Sequence, residues 1–279
     1  METVLFHQID EYLSFLRSEE HSRQTICKYR HDIRCFVQYL RGGQSITKEV
    51  VLQYKEMLGR KYKITSANSM LVALNGFLSY LGLAHCRVKL YKCQRQTFRN
   101  QARELTRQEY TRLVKAAQLQ KKERLSLLIQ TICCTGIRVS EHQFVTVEGV
   151  REGMIQITNK GKTRAIILPR ELCRVLLAHC ARRRIMTGPV FVTRSGRPMN
   201  RTNIWHEMKN LCRAAKVAPD KVFPHNLRHL FAVCFYQLEK DVVRLADILG
   251  HSSIETTRIY TLKSSEEHAR TLSRLHLLI

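Results

Sequence analysis

Apolar residues return every three to four positions through most of this chain, a spacing that predicts helices nearly throughout. In the first run Leu5, Ile9, Tyr12, Leu13 and Leu16 share a face. Ser22 is the expected N-cap of a second, with its stripe at Ile26, Ile33, Phe36, Val37 and Leu40 and its end at Gly42. Thr47 caps a third, carrying Val50, Val51, Tyr54 and Leu58. The fourth, Ser66 to Leu83, turns Met70, Leu71, Leu74, Phe77, Leu78 and Leu81 inward. Four amphipathic helices of this kind can bury one another's stripes, so residues 1–84 read as an N-terminal helical domain.

From His85 to Arg103 the period dissolves, and the stretch carries basic residues without an acid. Residues 85–103 therefore read as an interdomain linker, either lying along a phosphate backbone or left as a flexible basic tether. A second domain, 104–279, opens at Thr106 and Glu109, a capping box ahead of Leu113, Val114 and Ala117. Lys122 to Thr135 is mostly apolar and reads as a buried helix closed by Gly136, with Cys133 and Cys134 in the core. The period then switches to two. Met154–Ile157 and Ala165–Leu168 flank the polar turn Asn159-Lys160-Gly161-Lys162, a β-hairpin. A basic helix from Arg170 to Arg184, a short strand Val190–Val192, a turn at Ser195-Gly196 and a helix Asn203–Ala215 follow, the last packing through Trp205 and Met208. Pro224 starts another helix, and Asp241–Leu249 ends at Gly250 in a left-handed cap. Ser264 and Glu267 form a second capping box before a terminal stripe of Ala269, Leu272, Leu275, Leu278 and Ile279. The fold class is mainly α with a small antiparallel β-sheet.

Charge narrows the function. Against 23 Asp and Glu stand 47 Lys and Arg, a net +24 over 279 residues, which suggests a polyanionic partner. The outward helix faces carry Arg23, Lys28, Arg30, Arg34, Lys55, Arg60, Lys61 and Lys63, a solvated face or a DNA-facing one. No apolar run approaches the roughly 20 residues that span a bilayer, and the N-terminus lacks the cationic start of a signal peptide. Ten cysteines without such a signal point to a reducing, cytoplasmic setting. No C-x-x-C pair occurs, so no metal framework is expected.

The chemistry concentrates between Pro224 and Tyr260. His225 and Arg228 lie three apart on one helix face, His251 follows Gly250, and Tyr260 comes nine residues later. Arginine grips phosphate oxygens, histidine moves protons near neutral pH, and a phenol can be a covalent nucleophile. Upstream, Arg138 sits just past a buried helix end with Glu141 in reach to pin it. A zincin built on His225 and His229 fails, because Asn226 stands where a zincin carries its Glu.

H-x-L-R-H, then L-G-H, then Tyr nine residues on resembles the signature of the tyrosine recombinase (phage integrase) family. Thr135-Gly136-Ile137-Arg138-Val139-Ser140-Glu141 is similar to its T-G-L-R-x-S-E box. The resemblance implies a SAM-like, four-helix core-binding domain that clamps DNA and a C-terminal catalytic domain. It implies a catalytic set of Arg138, Lys160, His225, Arg228, His251 and the nucleophile Tyr260, with no metal and no cofactor. The hairpin matches a G-K-G-x-K-x-R pattern with one residue missing before Arg164, so Lys162 competes with Lys160 for the lysine role, and Lys160 is favoured. DNA contacts are expected at Arg23, Lys28, Arg30, Lys61, Lys63, Arg95, Arg99, Arg197 and Arg201. The implied partner is double-stranded DNA with inverted-repeat core sites, bound by a homodimer per site and a homotetramer in synapsis, or with a paralogous recombinase. The terminal helix then docks on a neighbouring subunit. Rival readings keep the DNA and change the outcome: a non-catalytic regulator derived from a recombinase, or a type IB topoisomerase-like relaxase.

Overall fold

The computed structural model describes residues 2–40, 45–93, 101–159, 162–193, 195–262, 270 and 273–274. The expected helix stop at Gly42, the linker arginines Arg95 and Arg99, the turn lysine Lys160 and most of the terminal helix lie outside these residues. The chain forms two compact units, Met1–Arg95 and Gln96–Ile279.

The first unit is four helices: α1 (Glu2–Ser18), α2 (Arg23–Tyr39), α3 (Lys48–Lys61) and α4 (Ile64–Tyr80). Ser22 Oγ accepts the Thr25 amide at 3.2 Å and Thr47 Oγ1 the Val50 amide at 3.4 Å, the caps expected from sequence. α4 starts two residues before Ser66, because the Lys63 carbonyl, rather than a hydroxyl, receives the first amides. The stripes face inward: Leu13, Ile33, Phe36, Leu58, Leu71 and Phe77 are fully buried. Each contributes about 1.5–3 kcal/mol.

The chain stays on this unit past His85, where a linker was expected. Cys86 and Val88 are buried in its core. Asn75 clamps Val88 through both its amide N–H and its carbonyl, at 3.0 and 2.8 Å, and Asn68 does the same for Tyr91 at 2.8 Å each. Such side-chain-to-backbone bonds hold an extended segment without any apolar period, so the sequence pattern could not reveal them.

The second unit contains α5 (Arg107–Leu119), α6 (Glu123–Thr135), α7 (Val147–Glu152), β1 (Met154–Asn159), β2 (Lys162–Ile167), α8 (Arg170–Arg183), α9 (Arg201–Lys209), α10 (Cys212–Ala215), α11 (Pro224–Glu239), α12 (Val242–Leu249) and α13 (Ile254–Thr257). The Thr106–Glu109 capping box forms in both directions, at 3.1 and 2.8 Å. β1 and β2 pair antiparallel from Met154↔Ile167 to Asn159↔Lys162. α6, with Leu128, Ile129 and Ile132 buried, lies at the centre and packs against α11.

Four expectations need correction. Val190–Val192 forms no strand. Val190 and Phe191 are buried, but the local pairings are isolated bridges to prolines, Thr146↔Pro189 and Val192↔Pro198, and proline donates no ladder bond. The helix expected over Asn203–Ala215 is two, α9 and α10. Trp205 is not a packing residue: the inward stripe is Ile204, Met208, Leu211 and Cys212, which leaves the indole 40 % exposed. Cys134 is exposed, since the last turn of α6 shows one side to solvent, whereas Cys133 packs against the core as expected. No described helix is long and apolar enough to cross a membrane.

Candidate active site

Two helices end next to each other, and their ends organise the site. α6 closes at Gly136 (φ 67°) and α12 at Gly250 (φ 63°), both left-handed. The carbonyls of a last helical turn lack intrahelical partners and carry the negative end of the helix dipole. Here those carbonyls hold guanidinium groups. Arg228, in the first turns of α11 and only 2 % exposed, donates to Gly136 O at 2.6 Å and to Leu249 O at 2.7 Å. Arg138 donates to Gly250 O at 3.2 Å.

A single buried carboxylate braces the rest. Glu141 Oε1 accepts from Arg138 Nη1 at 2.9 Å, while Oε2 accepts the Arg138 backbone amide and Arg164 Nη2, both at 2.7 Å. Burial pushes the Glu141 carboxyl up, yet Arg164 and Arg138 outweigh it and hold the group below the usual carboxylate range. Two guanidiniums thus meet one carboxylate, with Arg228 held nearby by backbone carbonyls, and the excess positive charge suits an anion. Burial, then Arg138, lowers Arg228 to about 10.

His251, directly after Gly250, places Nε2 3.1 Å from Arg228 Nη2 and Nδ1 2.8 Å from Thr257 Oγ1. A guanidinium only donates, so Nε2 accepts and Nδ1–H donates to the threonine. Burial, followed by Arg228, Arg138 and Arg164, lowers His251 to about 4, which keeps this tautomer neutral at physiological pH. Tyr260, 3 % exposed, packs with Ala232, Val233, Leu245 and Leu249. Its ring centre is 5.1 Å from that of His229 and 6.3 Å from that of His251. Burial raises its phenol pKa, and Arg228 and Arg138 offset this only in part.

Beside these groups opens a cleft of about 670 Å³ lined by Arg138, Ser140, Arg201, Trp205, His225 and Arg228 among others. His225 is exposed in it. Protein atoms nevertheless crowd the ring, and that desolvation, with Arg228, His229 and Arg138, holds it below the ordinary imidazole value. His229 points elsewhere, 3.2 Å from Glu104.

The fold therefore gathers Arg138, His225, Arg228, His251 and Tyr260 from the expected set. Lys160 lies outside the described residues; the backbone register puts Lys162 opposite Asn159, two positions before Arg164. Of the expected DNA contacts, Arg23, Lys61, Lys63, Arg197 and Arg201 are exposed, and Arg201 lies on the cleft. Lys28 is paired with Asp32, and Arg30 with Asp10 at 3.2 Å. Three contributors escaped the sequence reading. Arg164 closes the hairpin pattern and so left a trace, and Trp205, read as a packing residue, in fact sits just off the α9 stripe. Thr257 gave no signal, since its role exists only once α13 folds back on His251.

A model of the phage integrase family matches residues 103–267, more than half of the chain, and one of the phage integrase N-terminal SAM-like domain matches residues 9–85. The chain belongs to the phage integrase family, the tyrosine recombinases. It is 28% identical to tyrosine recombinase XerA of Pyrococcus furiosus, over 99% of this chain and 96% of that one. With tyrosine recombinase XerD of Halalkalibacterium halodurans it shares 29%, over 94% of each. Its fold matches the crystal structure of XerH bound to palindromic difH in a post-cleavage complex, with TM-score 0.73 and 18% identity over 98% of this chain and 84% of that one. It also matches a lambda integrase dimer bound to a COC' core site, with TM-score 0.72 and 18% identity over 92% of this chain and 94% of the other. The architecture is that of the family, mainly helical with a two-stranded antiparallel sheet.

Proposed function

We propose that the chain is a site-specific DNA recombinase that works through a covalent 3′-phosphotyrosyl intermediate. One observation carries the reading: Tyr260 is packed at Arg228, which two helix ends and His251 hold beside a cationic cleft. The Tyr260 oxygen attacks phosphorus, the Tyr260–P bond forms, and the P–O5′ bond breaks. His225, kept neutral by its surroundings, takes the phenol proton, which the raised Tyr260 pKa makes necessary. Arg138 and Arg228 carry the charge that builds on the two non-bridging oxygens. Lys160, or Lys162 in the shortened hairpin, gives a proton to the departing 5′-oxygen. His251, the remaining member of the set, lies next to that arginine pair. Its Nε2 accepts from Arg228, so its first duty is to orient that guanidinium. Attack by another strand's 5′-hydroxyl reverses the step and rejoins the DNA without ATP or metal.

The partner we assign is duplex DNA with inverted-repeat core sites, engaged by two copies per site and four in synapsis. The helical unit and the exposed Arg23, Lys61, Lys63, Arg197 and Arg201 supply phosphate contacts. A cytoplasmic location fits ten free thiols. The test is covalent capture from a pool of nicked, randomised duplexes. Wild type should give an SDS-resistant, protease-sensitive adduct, and Tyr260→Phe should give none while still shifting the DNA. An adduct with Tyr260→Phe overturns the nucleophile; binding with no adduct from wild type favours the regulator.

A further inference from the structure

We infer that Trp205 is an apolar wall of the cleft, packing against the sugar and base edge of the nucleotide next to the phosphate that Arg138 and Arg228 grip. The inference rests on the DNA-cleavage reading above and adds a subsite to it. Trp205 is the only tryptophan in the chain. A core role would bury it, yet it is 40 % exposed, and α9 packs inward through Ile204 and Met208 instead. It lines the same cleft as Arg138, His225 and Arg228.

Its neighbours suit a nucleic acid. Lys209 Nζ lies 5.1 Å from the indole centre, and the His206 ring meets it edge-on at 4.8 Å and 78°. Arg201 precedes it by one helical turn and lines the cleft. An apolar ring set among cations matches a nucleotide, which is flat and apolar in its base and anionic in its phosphate. Arginines alone can hold a bare phosphate and need no indole. The division of labour follows: the guanidiniums fix the phosphate, and Trp205 fixes the rotation of the nucleotide about it. In a duplex the base faces are already covered by their neighbours, so the indole meets deoxyribose and base edge. Apolar contact of this kind tolerates any sequence, and the subsite contributes placement rather than base identity.

A single tryptophan makes the test direct. Wild-type protein is titrated with a fluorescein-labelled random duplex, following the anisotropy of the label and, on an unlabelled duplex, the emission of Trp205. Heparin, a polyanion without bases, is the second ligand. The expected result is strong quenching by duplex, little by heparin at equal occupancy, and loss of acrylamide access only with duplex. Trp205→Ala should weaken duplex binding by about tenfold and Trp205→Phe should restore most of it. Heparin binding should not change in either variant. Binding by anisotropy with unaltered emission overturns the inference while leaving the recombinase reading intact. Equal quenching by heparin, or an alanine variant that binds duplex like wild type, also overturns it. A protein that leaves the anisotropy flat removes both.

Discussion

Glu141 is the residue on which the site's geometry turns. It is 2 % exposed and satisfies two guanidiniums and one backbone amide, so its removal strands partly buried charges rather than losing one bond. Breaking one member of such a buried pair typically costs about 3–5 kcal/mol. Glu141→Ala should therefore lower the thermal midpoint and abolish adduct formation together, whereas Tyr260→Phe should abolish the adduct alone; a melting curve beside the capture assay separates them. Thr257 acts at one remove. Its hydroxyl fixes which nitrogen of His251 carries the proton, and hence how Nε2 meets Arg228. Thr257→Val keeps the shape and loses the bond, so adduct formation should slow about tenfold with little change in melting, and Thr257→Ser should recover it. The same histidine sets a pH dependence. Its folded-state pKa is lowered from 6.5 to about 4, so between these values the unfolded chain binds the additional proton. Stability from this group is complete above 6.5 and falls as the pH drops towards 4. His251→Gln should flatten that limb in melts taken across the window.

At the scale of elements, the site is made by where two helices stop. A Cβ at Gly136 would lie 2.4 and 2.6 Å from ring carbons of Phe231, whereas one at Gly250 would meet the side chain of Arg164 at 2.8 Å. Both positions also need the left-handed backbone, at roughly 1–2 kcal/mol for a residue with a side chain. An aromatic ring in a packed helix pair cannot yield as a long arginine can. Gly136→Ala should therefore destabilise more than Gly250→Ala, while Gly250→Ala should harm adduct formation out of proportion by moving Arg164 off Glu141; paired melting and capture measurements check the inversion. Both stops were legible, because glycine after an apolar run is a strong local signal, and the helical stripes were legible because burial follows their period. The hairpin was legible for the same reason with a period of two. What was hidden depends on contacts between distant residues. Asn68 and Asn75 hold the chain beyond His85, and Val190 and Phe191 bury without a ladder. Trp205 was misread because size and apolarity were taken as burial, when its angular position on α9 decided the matter.

At the scale of the whole molecule, a net +24 fixes the kind of partner but not which cations touch it. The structure ranks them by what each must give up. Lys61, Lys63 and Arg23 are exposed and pair with no carboxylate among the described residues, so their counterions are free to leave when phosphate arrives. Lys28 and Arg30 already face Asp32 and Asp10, and a phosphate must compete with those carboxylates. Each phosphate neutralised on duplex DNA contributes about −0.9 to the slope of log K against log salt. Lys61→Ala and Lys63→Ala should each reduce the slope by about one, and Lys28→Ala and Arg30→Ala by much less, measured by anisotropy on a random duplex across a salt series. Tyr260→Phe should leave the slope unchanged, since it removes no cation. Equal slopes for all four cationic variants would mean that the ion pairs with Asp10 and Asp32 open on binding, and the exposed and paired cations would then form one interface.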